Sequence, residues 1–228
     1  MESKLKLFNY WTDDKGLLFL LASIFILIFV VYPVAGNSEL GSIVSNIFII
    51  FILLTGVISV DIERKYRTKL IAFLISLIIF SVLADTFIES SVVHLHIIIR
   101  IIFLWLLVIL IFKKVFRNRP ISFFFRIAGS ITIYLLVGFI WANMLFILYY
   151  FDTSSFQFAV KINPGDNNMF NFIYYSFETL TTLGYGDILP MTPLAKTLII
   201  LEALIGPLYL AILIGRLVSK QSPPKENN

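Results

Sequence analysis

The stretch that decides the fold runs Met169-Phe170-Asn171-Phe172-Ile173-Tyr174-Tyr175-Ser176-Phe177-Glu178-Thr179-Leu180, then Thr181-Thr182-Leu183-Gly184-Tyr185-Gly186-Asp187. Its first part is apolar and aromatic, yet well short of the roughly 20 residues that cross a bilayer. Asn163-Pro164-Gly165-Asp166-Asn167-Asn168 precedes it, a turn ending in residues suited to helix N-caps. Its second part puts glycine at alternate positions, Gly184 and Gly186. The pattern predicts a half-helix over Phe170–Thr181 followed by extended backbone.

What surrounds this stretch is strongly apolar. Of the 228 residues 59% are hydrophobic and only 14% are charged, against about 25% charged in an ordinary soluble domain. There is no Cys and there are two His, which excludes a disulfide scaffold and thiolate metal sites. Six runs are long enough to span lipid: Leu17–Val34, Ile43–Val60, Leu70–Ile88, Val92–Phe112, Ile127–Phe151 and Leu194–Val218. The first run is longer than a signal-peptide core, and Asp13 and Asp14 sit where such a peptide carries basic residues, so it reads as a retained span. Asp85 interrupts the end of the third.

The charges orient the spans. Lys4, Lys6 and Lys15 precede the first; Arg64, Lys65, Arg67 and Lys69 follow the second. Lys113, Lys114, Arg117, Arg119 and Arg126 follow the fourth, and Arg216, Lys220 and Lys225 close the chain. These are fifteen of the eighteen Lys and Arg, all on one side, so both termini are expected in the cytoplasm. The net charge of +4 is accounted for by topology and needs no nucleic acid. The expected fold is an all-α integral membrane protein with six transmembrane helices and a re-entrant half-helix between the fifth and sixth. The expected divisions are a cytoplasmic N-terminus (1–16), a peripheral four-helix domain (17–112), a cytoplasmic linker (113–126), a domain built on the last two spans (127–218) and a short cytoplasmic tail (219–228).

Non-helical backbone at membrane depth is tolerated only when buried in protein or lining a wet path. Residues Thr182–Gly186 suit one such path. A dehydrated cation needs oxygens in place of its water, and successive backbone carbonyls supply them if all point one way. An ordinary strand alternates its carbonyls, so alternate residues must adopt unusual φ, which Gly184 and Gly186 do at little cost. Leu183 and Tyr185 then turn their side chains away from the axis, and Thr182 adds a hydroxyl at the inner end. The half-helix aims its partially negative C-terminus at the central cavity.

Thr181-Thr182-Leu183-Gly184-Tyr185-Gly186-Asp187 resembles the potassium-channel signature, with Leu at 183 where Val or Ile is commoner. The resemblance extends from about Ile127 to Val218, and the layout is similar to that of six-helix potassium channels. It implies a selectivity filter at Thr182, Leu183, Gly184, Tyr185 and Gly186, with K+ held at Thr182, Leu183, Gly184 and Tyr185. One chain holds one filter sequence, so the resemblance implies a homotetramer around a cyclic axis. It also implies K+ as the transported ion, with no organic cofactor and membrane lipid as the surroundings. The simple layout suits a cell membrane, plasma or prokaryotic inner.

The same resemblance makes Glu178 and Asp187 a carboxylate pair behind the filter, sharing a proton; the alternative is that Asp187 is solvated at the mouth. Thr181, Tyr174 and Tyr175 fall at supporting positions, the tyrosines being equally compatible with an interfacial aromatic belt. Gly206 and Pro207 are expected to form an inner-helix gating hinge, the alternative being a static bend. Glu202, one turn earlier, either lines the cavity or is protonated and bonded to a neighbouring half-helix. Asn143, on the fifth span, has no assignable role.

The fourth span carries one firm charge, Arg100, at the three-residue spacing of a voltage sensor. Four subunits would then gain about 9 kcal/mol per 100 mV, against roughly 28–37 kcal/mol for three or four charges each. Steep voltage gating is not expected, and Arg100 is expected to pair with an acid, Asp85 or Glu89. His94 and His96 read as titratable or simply interfacial. About ten residues follow Val218, too few for a nucleotide- or calcium-binding gating domain. The expected function is a potassium-selective channel conducting passively. The alternatives are a weakly selective cation channel and a non-conducting modulatory subunit with a pore-like fold. No nucleophile–base constellation or phosphate loop points to an enzyme.

Overall fold

The computed structural model describes residues 16–35, 39–59, 90–116, 123–159 and 169–221. The expected third span, Leu70–Ile88, lies outside them, as do Asp85 and Glu89. Six helices are described. They are α1 (residues 16–35), α2 (Glu39–Ser59), α3 (Ser90–Phe116), α4 (Phe123–Phe151), α5 (Met169–Leu180) and α6 (Pro193–Gln221). Two short strands, β1 (Phe156–Phe158) and β2 (Ile188–Pro190), pair antiparallel, with Gln157 opposite Leu189. Among the described residues three helices are long and apolar enough to cross a membrane: Gly16–Val34, Phe123–Phe151 and Pro193–Val218.

The elements begin and end where their chemistry requires. In α1 the segment Leu27–Val31 is π-helical, and the Tyr32 N–H bonds Leu27 O. Pro33 comes at once after it; its ring crowds the preceding turn and it brings no N–H, and a widened turn relieves both. The α3 helix passes the expected end at Phe112 and continues through Lys113 and Lys114 to Phe116. Lysines are good helix formers, and in the last turn they face the negative end of the helix dipole. Lys114 is buried there, and its Nζ donates to Ser59 O at 2.6 Å, capping the end of α2. Hydroxyls inside the helices bond back one turn, as Ser23 does to Phe19 O and Thr55 to Phe51 O. In lipid that satisfies these hydroxyl donors within their own helix.

One apolar core runs through the described residues. Leu17, Leu20, Ile24 and Leu27 of α1 meet Ile52 of α2 and Leu104, Leu107 and Ile111 of α3. The α3 helix packs on α4, α4 on α5, and α5 on α6. Beyond α4 lies an aromatic cluster centred on the fully buried Phe172, ringed by Phe146, Tyr149, Phe156 and Phe158. It seats α5 between the end of α4 and the small sheet.

Candidate functional site

The half-helix expected over Phe170–Thr181 is α5, one residue earlier at each end. Its C-terminus sets the backbone of the residues beyond it. Thr182 N donates to Thr179 O at 3.0 Å, and Leu183 N to Glu178 O at 2.8 Å. These two bonds make a Schellman motif, which requires a left-handed residue at Thr182, and Thr182 has φ 61°. A β-branched residue seldom adopts this conformation, and holding it costs about 1–3 kcal/mol.

Left-handed φ then recurs at every second residue: 61° at Thr182, 62° at Gly184 and 78° at Gly186. Leu183 and Tyr185 between them keep negative φ. Alternating the sign of φ turns successive peptide planes so that their carbonyls face one side. Among the described residues no carbonyl from Thr182 to Gly186 accepts a hydrogen bond. The Gly184 and Gly186 expectation agrees with this geometry. The third left-handed position, Thr182, was not anticipated, because nothing about threonine advertises it; the helix C-cap imposes it.

The segment is held from behind. Glu178 is buried on α5, and its Oε1 accepts the Gly186 N–H at 3.2 Å. The expected hydrogen bond between Glu178 and Asp187 is replaced by this side-chain-to-backbone strut. Glu178 Oε2 and Asp187 Oδ1 are both buried without a partner among the described residues. Tyr174 lies beside Asp187, and Tyr175 is buried against Phe156. Thr181 bonds back to Phe177 O at 2.6 Å. Beyond the segment, Ala159 N donates to Asp187 O and Met191 N to Ser155 O, each at 2.8 Å, flanking the β1–β2 pair. This clamp was missed, although the alternation Phe156-Gln157-Phe158 carries its period-two signal.

The inner face is α6. Gly206 is buried, and a Cβ there would collide with Leu180 O. Gly206 thus permits backbone contact between α6 and the end of α5. The helix runs unbroken through Pro207. Tyr134 donates to the same Leu180 O at 3.2 Å. Glu202 is fully buried and bonds Ser176 on α5, so of its two expected placements the structure takes the one against the half-helix. Arg100 bonds Asn143 Oδ1 on α4, and Asn143 Nδ2 donates to Phe139 O at 2.6 Å. The acids expected to pair with Arg100, Asp85 and Glu89, lie outside the described residues; within them this amide is a partner of Arg100, and Asn143 acquires a role.

In the single chain Leu183 is 56% exposed and Tyr185 68% exposed. The apolar flank of α6, with Ile200, Leu204, Leu208 and Ile212, is exposed as well. Among the described residues no cluster of His, Asp and Glu is arranged to hold a metal ion with side chains.

Comparison with known proteins agrees with this geometry. Residues 130–221, from the second turn of α4 onward to the end of α6, match a family model described as ion channel. The chain is 34% identical over 82 residues to an inward rectifier potassium channel of Paramagnetospirillum magnetotacticum, covering 36% of this chain and 26% of that protein. It is 32% identical over 92 residues to a voltage-gated potassium channel of Aeropyrum pernix, covering 40% and 27%. It is 44% identical over 43 residues to a hyperpolarization-activated voltage-gated potassium channel of Methanocaldococcus jannaschii, covering 19% and 21%. The chain spans about a quarter of the length of the relatives it matches. The matched family and the long apolar helices make this an integral membrane protein similar to potassium channels, and they point to a channel rather than an enzyme.

Proposed function

We propose that this chain is the subunit of a potassium-selective channel that conducts K+ passively and without steep voltage dependence. The alternation of left-handed φ at Thr182, Gly184 and Gly186, with carbonyls that accept no hydrogen bond among the described residues, is the observation that carries the reading. Four copies around a cyclic axis bring these carbonyls, with the Thr182 hydroxyl, around a dehydrated ion. The exposure of Leu183, Tyr185 and the α6 flank in a single chain supports such an assembly, since each then has a neighbouring copy to pack against. Six spans with both termini in the cytoplasm remain the topology favoured by the charges. Gly206 and Pro207 form the gating hinge of α6, at the point where Gly206 lies against Leu180 O.

The test is ion flux from liposomes holding the purified protein. Potassium efflux that exceeds sodium efflux and is blocked by barium is the expected result. Equal K+ and Na+ fluxes would establish a weakly selective cation channel. No flux at all would leave a non-conducting subunit.

A further inference from the structure

The Ser176 hydroxyl lies between two acceptor oxygens. Its Oγ is 2.7 Å from Gly138 O on α4, and it also bonds Glu202 Oε1 on α6. A serine hydroxyl owns one proton and two lone pairs. A backbone carbonyl can only accept, so the serine proton belongs to the bond with Gly138. The bond with Glu202 then needs a proton from the carboxyl. If Glu202 were ionised, one of these two close oxygen–oxygen contacts would have no proton between them.

The surroundings agree with that assignment. Ser176 and Glu202 are both fully buried. The titratable groups facing Glu202 are phenols, Tyr134 from α4 and Tyr175 from α5. Among the described residues no Lys, Arg or His faces it. An unpaired carboxylate at such a site is costly, whereas a neutral acid is not. The second carboxyl oxygen, Oε2, is buried without a partner among the described residues. On a neutral acid it is an unmet acceptor rather than an unmet charge.

We infer that Glu202 is a neutral carboxylic acid whose O–H donates to Ser176, forming a proton-held latch that ties α6 to α5 and, through Gly138, to α4. The latch sits in register with a second contact. Ser176 and Leu180 lie one turn apart on α5, and Glu202 and Gly206 lie one turn apart on α6. The first pair meets the second residue for residue: Ser176 with Glu202, and Leu180 with Gly206. Removing the proton places a bare charge at this seam and separates the inner helix from the helix that carries the filter. The proton assignment stands on hydrogen-bond geometry; its effect on conduction rests on the channel reading above.

Infrared spectroscopy on the full chain in lipid tests this directly. The wild type at neutral pH should show the carbonyl band of a buried, hydrogen-bonded carboxylic acid, and Glu202→Gln should abolish it. Ser176→Ala keeps the acid but removes its partner, so the band should persist at higher frequency. Glu202→Gln retains an N–H donor and should keep the melting midpoint of the assembly, while Glu202→Ala should lower it. A band unchanged by Glu202→Gln, or a Glu202→Ala assembly as stable as wild type, overturns the latch. Wild-type vesicles that show the acid band but pass no K+ support the proton assignment and sink the channel reading alone.

Discussion

The helices α1–α3 and the unit α4–α6 are held by different means. Between α1, α2 and α3 the contacts are apolar, Leu and Ile against Leu and Ile, and the Lys114 bond to Ser59 O closes one end. Around α4–α6, side chains bond backbone across elements at separate heights: Tyr209 to Ser130 O, Tyr134 to Leu180 O, Ser176 to Gly138 O and Trp141 to Leu198 O. Apolar packing tolerates small shifts, because a side chain rotates to refill a gap. Directed bonds and backbone contacts do not. The difference teaches that precision is concentrated where the chain must keep alternate residues left-handed at Thr182, Gly184 and Gly186.

The contrast is most sharply broken at two glycines. Gly206→Ala drives a methyl into Leu180 O, which is backbone and cannot move aside. It should cost about 3 kcal/mol or more and abolish K+ flux. Gly56→Ala in α2 meets the branched end of the Leu107 side chain, its two methyls and Cγ, rather than backbone, and should cost about 1–2 kcal/mol with flux retained. Thermal melting of both proteins in detergent, with flux on each, measures the gap; equal losses would erase the proposed difference between the two regions.

A somewhat smaller effect is expected at Gly184→Ala. Nothing lies within 4 Å of its added Cβ in the single chain, but φ is +62°. The strain should be about 1–2 kcal/mol, and it should appear as a lower K+-to-Na+ flux ratio more than as a lower melting point. At the junction of the regions, Asn143→Leu removes the amide that Arg100 bonds. A loss of about 1–3 kcal/mol is expected, with faster hydrogen exchange in α3 and α4 and unchanged exchange in α5.

The smallest effect belongs to the turn after α4. Asp152 accepts from Ser154 N at 3.0 Å and from Ser154 Oγ at 2.6 Å, and these bonds hold its carboxyl below the ordinary value of 3.8. A depressed carboxyl stabilises the turn fully above that value and loses its contribution as pH falls through the lowered one. Protease nicking near residues 152–155 should therefore rise only in strong acid, and Asp152→Ala should bring the same sensitivity at neutral pH.

Local sequence carried a good part of this molecule. The half-helix was readable because a short apolar run between a capping turn and a glycine pair has few other uses. Alternate left-handed backbone was readable at Gly184 and Gly186, because glycine alone adopts it without strain. It was not readable at Thr182, where helix capping forces the conformation on a residue that resists it. The Glu178 strut was half readable. Position suggested a support behind the filter, but its partner is the Gly186 N–H rather than the Asp187 carboxyl.

By itself the sequence determined which runs are apolar enough for lipid, where along the chain the basic residues gather, and where the backbone turns left-handed at glycine. These are properties of composition and of single residues, so they survive without coordinates. Only the tertiary structure decided that Glu202 meets Ser176 across 26 residues, that Arg100 meets Asn143 across 43, and that Gly206 admits the Leu180 carbonyl. Each depends on which face one helix turns to another, and that is set by the packing of whole helices, which no single stretch of chain contains.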